Sequence, residues 1–263
     1  MIRILNNGAC GRMGRAMASN ILQEEDMTIV AAVDVKGAGA DMGILTGGPA
    51  IGVIVEDDLE TAIKRSRPDV MLDFTNAQAA IKNIRIALTN GVACVIGSTG
   101  MTEENIAEIA ELSKAAKTPI FIAPNFAISA VLMMRFAAEA VKYMPHFEIV
   151  EIHDSHKLDA PSGTAMNSAK LICDNREAFS QDQPHSFEVL PGCRGGDYQG
   201  ARVHSLRIPG VLSVQDCIFG APGQTLTIRA ESTNRECFFP GVALALRKIR
   251  NLEGLTFGLD KLL

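Results

Sequence analysis

From Ile2 to Phe126 the sequence repeats one grammar: a short, almost uninterrupted apolar run, a small or polar junction, then a segment of helical spacing. The strand-like runs are IRIL, MTIVAAVD, DVMLDFT, VACVIGSTG and TPIFIAPNF; the helical ones are RAMASNILQEE, DDLETAIKRS, AAIKNIRIALTNG and MTEENIAEIAELSKAA. A strand that is apolar on both faces must be covered on both, and parallel strands need a helical crossover to bring the chain back. The pattern predicts an α/β domain with a mostly parallel sheet between two layers of helices. Thr102 is the expected N-cap of the fourth helix, with Asn105 at its third position.

After a further helix, SAVLMMRFAAEAVKYM, and Pro145, the rhythm changes. FEIVEIHDSH reads as a strand and TAMNSAKLICDNREAF as a helix. ARVHSLRIPG, LSVQDCIFG and QTLTIRAEST then alternate, or carry β-branched residues between glycine and proline breaks. This predicts a second domain of α+β character, beginning near residue 127, with a mixed or antiparallel sheet. The last helical segment, FPGVALALRKI, is expected to begin after Pro240. Periodicity does not say which domain it packs against.

The functions open to such a chain narrow with its charge. A formal net charge of −5 over 263 residues gives no electrostatic reason to expect nucleic acid or an anionic membrane as partner. A phosphate-bearing small molecule stays compatible, because backbone N–H groups hold phosphate in a locally positive pocket. The cysteines at 10, 94, 173, 193, 217 and 237 are scattered without a C-x-x-C pair, so neither a zinc site nor a disulfide scaffold is expected. Cys10, Cys94 and Cys217 read as small buried hydrophobes. The N-terminus enters a strand pattern at once, and no apolar run approaches the ~20 residues of a membrane span. A cytoplasmic protein is the expectation.

Between the first strand and first helix lies GACGRMG, with glycines at 8, 11 and 14. The first permits a tight turn, the second lets a pyrophosphate reach the backbone at the helix N-terminus, and the third lets helix and strand pack closely. Arg12 and Arg15 add positive charge at its mouth, and Met13 lies in the same turn. The second strand ends in Asp34, twenty residues past Gly14, where a carboxylate accepts hydrogen bonds from ribose hydroxyls. The first domain is therefore expected to be Rossmann-like and dinucleotide-binding. Asp34 favours NADH, whereas Lys36 suits the 2′-phosphate of NADPH, so both cofactors stay open. Gly97 and Thr99 of GSTG, with Asn125 and Phe126 of APNF, end later strands of the sheet and are candidates for the nicotinamide half.

One stretch is more specific still. EIHDSHKLDAPSGTA, Glu151 to Ala165, gathers two of the five histidines, a lysine, three acids and a Pro-Ser-Gly-Thr turn. Together with GACGRMG, GSTG and APNF, in order from residue 4 to about 245, it resembles the 4-hydroxy-tetrahydrodipicolinate reductase family, also called dihydrodipicolinate reductase. The resemblance implies an NAD(P)H-dependent reductase of lysine and diaminopimelate synthesis acting on a cyclic dicarboxylate. It implies His153 as the acid, Lys157 as its cationic partner, and Gly163 and Thr164 as carboxylate binders at the start of the following helix. It also implies a dinucleotide-binding domain at 1–126 and a substrate-binding and oligomerisation domain at 127–236. Residues 237–263 would return to the first domain, and the open sheet of the second would form the core of a homotetramer.

Two positions depart from the family pattern. Asp154 stands where many members have a second, substrate-holding histidine, and Ala230 where some relatives carry a histidine. These departures keep open a dinucleotide-dependent oxidoreductase of altered substrate. A non-enzymatic nucleotide sensor is the other alternative, but it would have no need of an acid, a cation and a carboxylate-binding turn together.

Overall fold

The computed structural model describes residues 1–177, 185 and 187–263. The chain divides into two compact units, one formed by Met1–Phe126 with Arg235–Leu263 and the other by Ala127–Asn234. In chain order the first unit runs β1 (Ile2–Asn7), α1 (Arg12–Ile21), β2 (Met27–Val33), α2 (Met42–Leu45), β3 (Val55–Glu56), α3 (Leu59–Ser66) and β4 (Val70–Asp73). It continues through α4 (Ala77–Thr89), β5 (Ala93–Ile96), α5 (Glu103–Ala116) and β6 (Ile120–Ile122). The second unit holds α6 (Ile128–Ala140), β7 (His146–His153), α7 (Gly163–Asp174), β8 (Gly196–Tyr198), β9 (Ala201–Arg207), β10 (Ser213–Ala221) and β11 (Gln224–Ser232). The chain ends in the first unit with α8 (Phe239–Lys248) and β12 (Leu255–Phe257).

The sheet of the first unit has the order β12-β6-β5-β4-β1-β2-β3, and every pair in it is parallel. Its strands are buried along nearly their whole length, as continuous apolar runs require. Strand order reverses between β1 and β4, and open α/β sheets place their ligands at the carboxyl ends of the strands at such a switch point. Thr102 and Asn105 form a reciprocal capping box at the start of α5. Pro240 occupies the first turn of α8, which starts at Phe239 rather than after the proline. A missing N–H costs nothing there, so proline belongs inside the helix start.

The sheet of the second unit has the order β11-β10-β7-β9-β8 and is mixed: β7 and β9 run parallel, and the other pairs are antiparallel. One face is packed by α6 and α7 around Phe147, Ile149, Cys217 and Phe219. On β7 the intervening residues Glu148, Val150 and Ile152 are only half-buried, and Ile218 and Leu206 are exposed. The helix expected over TAMNSAKLICDNREAF ends at Asp174, where Asn175 turns its side chain back onto the Leu171 carbonyl. The last two residues of that expected helix, Ala178 and Phe179, lie outside the described residues. Cys94 and Cys217 are fully buried, whereas Cys10 is half-buried at the glycine loop.

Candidate active site

The nucleotide-binding residues expected from sequence cluster at the end of β1. Gly8 turns the chain with φ +79°, its N–H and that of Ala9 both donating to the Val33 carbonyl at 2.9 and 3.1 Å. Gly14 lies so close beneath this turn that a Cβ would stand 2.1 Å from the Gly8 carbonyl oxygen. Gly11 is the N-cap of α1 and supplies no side chain to it. The first turn of the helix, Arg12 to Gly14, therefore presents its backbone N–H end without a side-chain cap, which is the geometry that holds phosphate.

Asp34 follows β2 and ties this turn down. Its carboxylate accepts the Cys10 N–H at 2.8 Å and the Lys36 N–H at 2.9 Å. A carboxylate has about four acceptor positions, so Asp34 keeps acceptor capacity beyond these two N–H groups.

Three neighbouring loops are joined by Asp73, a fully buried carboxylate at the end of β4. It accepts from the side chains of Asn7 and Asn83 at 2.8 Å each, from Thr75 at 2.7 Å and from Ser98 at 3.1 Å. The GSTG loop is thereby fastened to the end of β1: Gly97 N–H also donates to the Asp73 carbonyl, while Thr99 stays exposed. Asn125 is half-buried. The Phe126 ring packs between Phe74 and Phe121, centroids 5.8 and 5.9 Å away, and the residue is almost fully buried.

The second cluster follows β7. His153 is the last residue of that strand, and its side chain is 16% exposed. Residues two apart on a strand share a face, so Glu151 points the same way. The Glu151 carboxylate is completely buried and contacts His153 Nδ1. It also takes a two-pronged contact from Arg207 on β9, at 2.9 and 3.1 Å, and the Ser162 N–H at 3.3 Å. Burial pushes the Glu151 carboxyl up, but its contacts with Arg207, Ser205 and His153 outweigh it and hold the group below the usual carboxylate range.

The chain then makes a turn, with Lys157 N–H donating to the Asp154 carbonyl at 3.0 Å. Lys157 Nζ is held by both oxygens of Asp159, at 2.7 and 3.0 Å. Asp154 accepts from the His156 backbone at 3.0 Å, pairs with the His156 ring at 2.5 Å and accepts from the Gly210 N–H at 3.4 Å. These contacts hold its carboxyl below the usual range, the His156 backbone N–H contributing most. Ser162, almost fully buried, caps α7 by accepting the Ala165 N–H at 3.1 Å. Gly163 and Thr164 form the open first turn of that helix, with no atom near the position of a Gly163 Cβ. Ala230 is buried on β11, opposite Gln215.

Glu151 and Arg207 were not among the site residues expected from sequence. An acid on the inward face of an apolar strand is the signal that would have found the first, because a carboxylate is seldom buried without a partner. Arg207 gives no such local signal. It reaches Glu151 through the parallel β7–β9 register, which sets it opposite His153.

The first cluster is built of backbone N–H groups and suits a phosphate; the second is built of protonatable side chains and suits an acid that shuttles a proton. Each unit thus carries one of the parts that a nucleotide-dependent reductase requires. Among the described residues, no group of three or more His, Cys, Asp or Glu is arranged to hold a metal ion, and no helix is long and apolar enough to cross a membrane.

Comparison with known proteins narrows the class to a family. The family profile described as dihydrodipicolinate reductase, N-terminus, matches residues 2–126, and the one described as dihydrodipicolinate reductase, C-terminus, matches residues 129–263. The 4-hydroxy-tetrahydrodipicolinate reductase of Moorella thermoacetica is 47% identical over 262 residues, covering 100% of this chain and 98% of that one. That of Desulfitobacterium hafniense (strain DSM 10664 / DCB-2) is 46% identical over 263 residues, with the same coverage. The solved structure of dipicolinate-bound dihydrodipicolinate reductase from Paenisporosarcina sp. TG-14 superposes with a TM-score of 0.90 at 39% identity, covering 100% of both chains. The chain belongs to the dihydrodipicolinate reductase family and is an NAD(P)H-dependent oxidoreductase of lysine and diaminopimelate biosynthesis.

Proposed function

We propose that this protein reduces 4-hydroxy-tetrahydrodipicolinate to tetrahydrodipicolinate using NADH or NADPH. The observation that carries the proposal is the loop from His153 to Thr164. It follows an imidazole with an ammonium group and then the N-terminus of a capped helix, in a chain that matches the family over its whole length.

The residues of the first unit fit a dinucleotide. Gly11 leaves the N-terminus of α1 without a side-chain cap, and Arg12, Met13 and Gly14 offer that end to the pyrophosphate. Asp34 keeps acceptors for ribose hydroxyls beside Lys36, whose charge suits a 2′-phosphate. Gly97, Thr99, Asn125 and the Phe126 backbone line the loops assigned to the nicotinamide half. When bound, the reduced nicotinamide supplies the hydride.

The second unit supplies the rest. The Gly163 and Thr164 turn binds one substrate carboxylate at the positive end of α7. Lys157 offsets the charge of the dianion, exchanging Asp159 for substrate. Water leaves the substrate from its 4-hydroxyl and a neighbouring ring C–H, which gives an imine conjugated to a ring double bond. As that ring takes up hydride, His153 hands its proton to the ring nitrogen where negative charge develops. Asp154, engaged by His156 and Gly210, borders the substrate without presenting a bare carboxylate to it. The half-buried face of the β7–β10 sheet is assigned to subunit contact in a cytoplasmic homotetramer, testable by light scattering.

The test of the activity is a coupled assay in which the preceding synthase generates the substrate and the absorbance of reduced nicotinamide is followed. Substrate-dependent oxidation of NADH, NADPH or both is expected. Folded protein that oxidises neither would end the assignment.

A further inference from the structure

We infer that Glu151 is the positioning residue for His153, fixing the imidazole with Nδ1–H inward so that Nε2 is the nitrogen that gives up the proton. The inference rests on the reductase reading above and deepens it by assigning the orientation of its acid.

A buried carboxylate has to be charge-balanced and hydrogen-bonded. Arg207 meets the first need alone, through two N–H···O contacts to the two Glu151 oxygens. Arg207 is itself anchored, donating to the Asp159 and Leu206 carbonyls at 2.6 Å each. Because Arg207 neutralises the carboxylate, Glu151 does not need a cationic imidazole to be stable where it is. What it offers His153 is an acceptor, and an ionised carboxylate can only accept.

A proton donor that cycles between cation and neutral ring needs a partner satisfied by both forms. An acceptor at Nδ1 does this. The cation donates from Nδ1 and carries the transferable proton on Nε2; after transfer the neutral ring keeps Nδ1–H against Glu151 and has a bare Nε2. A partner of the opposite kind would leave one of the two forms unpaired. Second-sphere carboxylates set the tautomer of catalytic and metal-bound imidazoles in this way. The same carboxylate accepts the Ser162 N–H, so one group fixes both the ring and the start of the carboxylate-binding helix.

The contrary reading is that Glu151 only holds β7, β9 and α7 together, and the experiment must separate the two. Glu151→Gln keeps the shape, but its amide offers Nδ1 a donor as readily as an acceptor. Glu151→Asp keeps an acceptor-only group. Nitrogen-15 spectra of the histidine rings are recorded on the full-length protein, with His153 assigned by loss of its signals in His153→Gln, beside steady-state kinetics. Wild type is expected to show the neutral ring as Nδ1–H. In E151Q this preference should be lost and kcat should fall about 10²-fold, with cofactor affinity and KM changing little, while E151D should retain the tautomer and recover part of kcat.

Should E151Q fail to fold because Arg207 is left unpaired, the double variant E151Q/R207Q removes the orphaned guanidinium and is measured in its place. An unchanged Nδ1–H signal in the Gln variant, or E151D losing tautomer and rate as fully as E151Q, would overturn the inference. If the wild-type protein shows no turnover, the reductase reading falls on that result alone. The ring spectra then decide the Glu151–His153 relationship by themselves: tautomer lost in E151Q upholds it, tautomer retained refutes it.

Discussion

Lys157 Nζ sits astride the Asp159 carboxylate, 2.7 Å from one oxygen and 3.0 Å from the other, and Asp159 is 61% exposed. Exposed ion pairs contribute about 0–1 kcal/mol, so under the proposed function a substrate carboxylate would displace Asp159 at little cost. Replacing Asp159 with Asn should therefore lower KM for the dicarboxylate by no more than about fivefold, with kcat nearly unchanged. Lys157→Ala should act differently, lowering kcat and raising KM together, because a charge that meets both the substrate and the developing transition state is lost. Steady-state kinetics of the two variants separate these effects. A rise in KM for D159N would mean that Asp159 aims the lysine rather than competing for it.

Asp154 occupies a position that family resemblance assigns to substrate holding, and its carboxylate is taken up by His156 and the Gly210 N–H. An asparagine oxygen still accepts the His156 N–H, and only the longer 3.4 Å contact from Gly210, made to the other oxygen, is given up. Asp154→Asn should shift KM by less than about twofold, since no bare charge facing the substrate is removed. A KM several-fold lower in D154N would show that the carboxylate turns toward the dianion during turnover.

The parallel sheet was legible because its central strands are apolar on both faces and alternate along the chain with helices of clear period. The pieces that escaped are short edge elements. β3 is two residues long, and β12 and β8 are three each. Segments of that length have no period to read; they are strands only because β2, β6 and β9 lie beside them. Likewise α2 spans a single turn and exists through Asp41, whose side chain accepts the N–H groups of Gly43, Ile44, Ile51 and Gly52.

In the candidate site, His153 and Lys157 were singled out through the resemblance that EIHDSHKLDAPSGTA carries to the family. Arg207 lies 56 positions from Glu151, and that pairing depends on a strand register that no local pattern encodes.

The glycine loop offers a contrast between packing and ligand space. A Cβ at Gly14 meets the Gly8 backbone oxygen at 2.1 Å, whereas at Gly11 the nearest atom, the same oxygen, is 3.1 Å away. Gly14→Ala must push α1 off β1 and should cost roughly 1–3 kcal/mol of stability along with cofactor affinity. Gly11→Val should spare most of the stability yet abolish nucleotide binding, because the side chain takes up the pyrophosphate's approach to the helix end. Thermal unfolding beside calorimetric titration of NADH and NADPH distinguishes the two. Unchanged affinity in G11V would remove the loop from the phosphate site.

Acid stability provides a reading of Glu151 that needs no substrate. Its folded-state carboxyl lies below the ordinary value of 4.5: burial opposes ionisation, and the contacts with Arg207, Ser205 and His153 reverse that effect. In the unfolded chain the group returns to its ordinary value. Wherever the unfolded state binds more protons than the native one, stability rises with pH. The contribution of Glu151 is therefore fully present above 4.5 and is lost as pH falls through the lower folded-state value. Glutamine at this position does not titrate, and the other carboxylates cancel between the two proteins. The unfolding free energy of wild type minus that of E151Q, from urea melts, should shrink steadily as pH falls below 4.5. A difference that stayed level through the acid range would mean the carboxyl is not held ionised by its partners. A difference that widened on acidification would reverse the sign, placing a protonated Glu151 in the folded protein and leaving His153 without its fixed acceptor.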